Sequence, residues 1–115
     1  MPTLLVKKEC VEQVGGLDEK LKCLEDYDFA LRIAQEYQAV FLDEVLLDAE
    51  FSALGVSGDS EQYLIASCIL LLRYKKDYLQ TDTFNHRVEI ILRDAERLGI
   101  TAQVVQLLEK LLQLQ

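Results

Sequence analysis

The sequence predicts a mainly helical protein with one or two short β-strands, built in two parts that meet near residue 58. Three observations lead there. Apolar residues recur at three- and four-residue steps through Glu25–Tyr37, Phe84–Leu98 and Val104–Leu112, which is the period of a helix face. Two short runs, Thr3–Val6 and Ala39–Leu42, have the apolar content and length of a strand. The charge is uneven: residues 1–58 carry five basic and twelve acidic side chains, net −7, whereas residues 59–115 carry seven and eight, net −1. The change of character falls at Gly55-Val-Ser-Gly-Asp-Ser60.

The elements follow in order. Thr3–Val6, centred on Leu4, is a first strand candidate. Lys7–Val14 suits a short helix, stopped by Gly15-Gly16, because paired glycines supply the left-handed backbone that ends a helix and turns the chain. Leu17–Cys23 reads as a loop. Glu25–Tyr37 is a helix with Glu25, Asp26 and Asp28 in its first turn, where the helix dipole favours negative charge. Ala39–Leu42, around Phe41, is the second strand candidate, and Val45–Phe51 fits either state. Asp59 with Gln62 resembles a capping box, and a helix is expected from about Ser60 to Tyr78, apolar nearly all round in its first half. Phe84, Val88, Ile91, Ala95 and Leu98 form one face of the next helix, which Gly99 ends. Thr101 is placed to cap a last helix carrying Val104, Val105, Leu108, Leu111 and Leu112.

Size and charge set limits on function. A chain of 115 residues holds one domain, or one domain with an appendage. A net charge of −8 argues against nucleic acid or an anionic membrane surface as the main partner, since both recruit clustered Lys and Arg. The longest apolar run, Tyr63–Leu72, is too short for a membrane span, which needs roughly 20 residues. Cys10, Cys23 and Cys68 do not stand at metal-ligand spacing, and His86 has no second ligand near it in sequence. No metal site is expected in the chain. The thiols read as reduced and the compartment as cytoplasmic.

Four segments, taken together, carry a resemblance: Pro2-Thr-Leu-Leu-Val-Lys-Lys8, Val14-Gly-Gly-Leu-Asp-Glu19, Glu25-Asp-Tyr-Asp-Phe-Ala-Leu-Arg32 and Val40-Phe-Leu-Asp-Glu-Val-Leu46. In this order and at these spacings they resemble the carboxyl-terminal part of the GT-A catalytic domain of a family-two glycosyltransferase. Leu54-Gly-Val-Ser57 is similar to a segment that often closes that domain. The resemblance covers roughly residues 2–58. It implies a fragment of an α/β GT-A domain, residues 1–58, followed by a helical tail, residues 59–115. The activity implied is transfer of a sugar from a nucleotide-sugar donor to an acceptor hydroxyl with inversion. The resemblance makes Asp26 the general base, with Glu25 beside it in the acceptor pocket. Gly15 and Gly16 would let the backbone turn closely beside the acceptor, and Asp18 with Glu19 would line the loop. Such chemistry needs a positioned carboxylate, because a sugar hydroxyl is a poor nucleophile until its proton is taken. Arg32 is expected to pair with an acid rather than to bind phosphate.

The sequence also departs from the family pattern. Leu17 stands where the family usually has an aromatic residue. No donor-binding βα repeat or credible diphosphate–metal clamp is found, since Asp26-Tyr-Asp28 lies within a helix pattern. The divalent metal, Mg²⁺ or Mn²⁺, is therefore expected only in the complete enzyme, and this chain alone is expected to be nearly inactive. The other reading is a non-catalytic helical interaction or dimerisation domain in which Glu25-Asp26 is a cap. A homodimer, or at least strong self-association, is expected through strand edges or the apolar helix around Leu70.

Overall fold

The computed structural model describes residues 3–48 and 60–113. The chain divides into two compact units, Met1–Gly58 and Asp59–Gln115. Among the described residues there are six helices and no strand. This overturns the expectation of a mixed α/β GT-A fragment with short strands near Leu4 and Phe41. Strand propensity records how well a side chain suits a pleated surface between neighbours, and neither segment has a ladder partner. In the second segment the backbone instead closes a local turn, with the Glu44 N–H donating to the Leu42 carbonyl at 3.0 Å. Its apolar side chains lie open: Val40, Phe41 and Val45 are 89%, 86% and 94% exposed, and Leu5 of the first segment is 97% exposed. The Asp59–Gln62 capping box and the Leu54–Ser57 segment involve positions outside the described residues.

The first unit is built on two helices that pack together, α1 (Lys8–Val14) and α2 (Glu25–Glu36). Helix α1 ends as the glycines require. Gly15 and Gly16 both have left-handed backbone, at φ 85° and 76°. Their N–H groups both donate to the Val11 carbonyl, at 3.0 and 3.2 Å, satisfying the end of the helix. A side chain at either position would be strained in that conformation. Leu21, Cys23 and Phe29 are the buried apolar residues of this unit among the described residues.

What fixes α2 against the end of α1 is a cation. Arg32 donates from Nε to Asp28 Oδ2 at 3.0 Å, one helical turn earlier, and from Nη1 to the Val14 carbonyl at 2.8 Å. Nη2 donates to the Gly16 carbonyl. The guanidinium also lies over the Phe29 ring, 5.8 Å from its centroid. Asp28 is fully buried, whereas the Arg32 side chain keeps 25% of its surface exposed. The expected pairing of Arg32 with an acid is thus present, and Asp28 is the acid.

The second unit contains α3 (Ser60–Arg73), α4 (Lys75–Gln80), α5 (Phe84–Leu98) and α6 (Thr101–Gln113). Helices α3, α5 and α6 pack pairwise, and α4 lies against α3 and α5. Leu64, Cys68 and Leu71 of α3 meet Ile91 and Ala95 of α5 and Val104 of α6 in the core. Ala66, Leu70 and Leu72 are buried too, so α3 is covered round most of its circumference, as its apolar sequence requires. The single helix expected over 60–78 is broken at Tyr74, whose backbone leaves the helical region at φ −108°, ψ 27°. Beyond α4, Asp82 takes a left-handed conformation at φ 57°, and the Thr83 N–H donates to the Tyr78 carbonyl at 3.0 Å. Gly99 closes α5 with paired bonds: its own N–H to Glu96 O and the Ile100 N–H to Ala95 O. Thr101 falls in the first turn of α6 itself. No helix among the described residues is long and apolar enough to cross a membrane.

Two outcomes are expected. Asp28→Ala leaves the Arg32 charge without its buried counterion, a loss of about 3 kcal/mol; chemical denaturation should show the first unit unfolding earlier while the second is unchanged. Burial raises the Cys68 thiol from 9.0 to about 11. Between those pH values the unfolded chain gives up the proton and the folded one keeps it, so stability falls as pH rises through that window. Cys68→Ala should remove that component of alkaline destabilisation, measured as the difference in melting between the two proteins from pH 8 to pH 11, and equal slopes would contradict it.

Candidate functional site

Helix α2 begins without a side-chain cap. Its N-cap is Leu24, held in left-handed backbone at φ 59°, ψ 19°. That conformation costs a branched residue about 1 kcal/mol, and its consequence is an abrupt start for the helix. Glu25, Asp26 and Asp28 all fall in the first turn. One oxygen of Asp26, Oδ1, accepts the Tyr27 N–H at 2.8 Å. Asp26 is half-buried and serves its own backbone locally.

The three acids do not point the same way. Successive residues turn by about 100° around a helix, so Glu25, Asp28 and Arg32, at steps of three and four, share one face. That is the face against which Arg32 holds the carbonyls of Val14 and Gly16. Asp26 is turned well away from Asp28 round the helix. The Gly15–Gly16 turn is thus joined to α2 through Arg32, with Glu25 rather than Asp26 on the clasped face.

The loop acids have different roles. Asp18 Oδ1 accepts the Lys20 N–H at 3.0 Å, and its carbonyl accepts the Leu21 N–H at 3.2 Å. Asp18 thereby shapes the loop that returns the chain from Gly16 to α2. Glu19 is exposed, and so is Leu17. At the far end of α2, the Tyr37 phenol meets Cys10 of α1. Partial burial first, then the Cys10 and Glu36 charges, raises its pKa. All three cysteines are free thiols.

Among the described residues, no group of three or more His, Cys, Asp and Glu side chains is arranged to hold a metal ion.

In the sequence Asp28 stands only as one of three dipole-compensating acids. Its spacing of four from Arg32, beside Phe29, was the available signal for an ion pair. That it would be fully buried, and that Arg32 would reach back to the glycine turn, depended on the fold.

No protein-family model matches this chain, and no solved structure matches it. An uncharacterized glycosyltransferase of Haemophilus influenzae is 50% identical to it over 36 residues, which are 31% of this chain and 12% of that protein. The match is short, and it supports a relationship to glycosyltransferases and no narrower assignment.

Proposed function

We propose that this chain supplies the acceptor-side segment of a nucleotide-sugar glycosyltransferase of the family-two type, with Asp26 as general base. The observation that carries the reading is the local identity to the Haemophilus influenzae glycosyltransferase. The glycine turn clasped by Arg32 and the acidic first turn of α2 are compatible with it. In this reading an acceptor hydroxyl lies against Glu25 and Asp26. Asp26 takes the hydroxyl proton as the oxygen attacks the anomeric carbon of the donor. The bond to the nucleoside diphosphate breaks with its electrons going to the phosphate oxygen, and the configuration inverts. Glu25 orients the acceptor, and Gly15, Gly16, Asp18 and Glu19 form the neighbouring loop. A divalent metal serving the diphosphate is held by the rest of the enzyme. Donor and acceptor must be held together for transfer, so the chain by itself is inactive.

The exposed apolar segments favour a second reading. Val40, Phe41, Val45 and Leu46 all present apolar side chains to water. Such surface usually marks an interface, and a helical interaction or dimerisation module would use it.

In the complete enzyme, Asp26→Asn should lower sugar transfer by about 10²–10⁴-fold, with donor binding and folding nearly intact. Asn can still accept the backbone N–H but cannot take the acceptor's proton. A turnover assay showing near-wild-type rates for the variant retires Asp26 as the base. For the isolated chain, light scattering should show concentration-dependent association that Phe41→Ser weakens; a monomer at every concentration removes the dimerisation reading.

A further inference from the structure

We infer that Arg32, anchored by Asp28, is a positioning residue for acceptor recognition: it aims the Gly16–Leu17 peptide so that the Leu17 N–H faces outward as a donor to a sugar hydroxyl. The inference rests on the acceptor-side reading above. In a trans peptide the C=O and the following N–H point in opposite directions. Arg32 Nη2 takes the Gly16 carbonyl, so the Leu17 N–H is directed away from the guanidinium. The two amides before it are spent on the end of α1, since Gly15 and Gly16 both donate to Val11 O. Leu17 itself is half exposed. The left-handed backbone at Gly15 and Gly16 is what allows the carbonyls of Val14 and Gly16 to converge on one cation. A planar guanidinium reaches Asp28 and both carbonyls together, and a lysine ammonium does not offer that fork. Asp28 fixes the fork from one turn below, and its burial shields the pair from water. Neither Arg32 nor Asp28 touches the sugar; both act through the turn.

The test is amide NMR of the full 115-residue chain titrated with a panel of methyl hexopyranosides. In the wild type, shifts should concentrate on Gly16, Leu17, Glu25 and Asp26. Arg32→Lys should weaken the fitted affinity by about tenfold, as for loss of a charge-assisted hydrogen bond, while amides of the second unit stay in place. Leu21→Ala, which loosens the same unit without touching the fork, should leave the affinity within about twofold. Asp28→Asn keeps the size and the carbonyl contacts, and it decides the matter should Arg32→Lys lose its helical signal. An unchanged titration in whichever of these two variants stays folded overturns the positioning role and leaves the acceptor reading standing. An absence of wild-type shifts at Gly16, Leu17, Glu25 and Asp26 overturns the acceptor reading itself, and the inference with it.

Discussion

The first unit depends on one guanidinium. Arg32 spends its donors on Asp28 and on two carbonyls of the glycine turn, and so joins the end of α1 to the middle of α2. Around it the unit buries few apolar side chains, Leu21, Cys23 and Phe29 among the described residues. A core that small specifies an arrangement weakly, because apolar contact is non-directional. A planar fork with three fixed acceptors specifies it sharply. The cost is the desolvation of Asp28, which is tolerable only while every partner stays in place. The two left-handed glycines follow from the same constraint, since the carbonyls they orient are the ones the cation needs.

The second unit is held by a different kind of interaction. No charged side chain is buried there among the described residues, and the core is Leu64, Cys68, Leu71, Ile91, Ala95 and Val104. Turns of high definition, at Tyr74, at Thr81–Thr83 and at Gly99, set the helices so that these side chains interlock. The charge distribution matches this contrast. The acidic half has the Asp28–Arg32 ion pair built into its frame, while the nearly neutral half uses apolar burial and, among the described residues, buries no charged side chain.

Helices were legible because their signal is local. The apolar period and the glycine stops placed α1, α2 and α5 to within a residue of where they lie. Tyr74 was not legible, because neither glycine nor proline marks the break and the apolar pattern runs through it. The strands were misread for a deeper reason. Thr3–Val6 and Ala39–Leu42 have suitable composition, but a strand exists only with a ladder, and composition says nothing about whether the partner is present. At the site, the acidic helix start and the glycine turn could be seen in the sequence. Their joining by Arg32 could not, because the contacts from Arg32 to Gly16 and Val14 span sixteen and eighteen residues.

The first turn of α2 constrains one of its acids through a local backbone contact. A carboxylate that accepts its neighbour's N–H is restricted in rotation, as Asp26 is by Tyr27. Restricted rotation is what a general base needs, since proton transfer demands a fixed approach. Leu24 sharpens the effect, because its left-handed backbone starts the helix abruptly and brings no capping oxygen of its own. The acid of the first turn must then do the capping from within the helix. Glu25 stands on the clasped face with Asp28 and Arg32, and Asp26 is turned away from it. The two carboxylates of the pair therefore leave the helix in different directions, with Asp26 held by its own backbone contact.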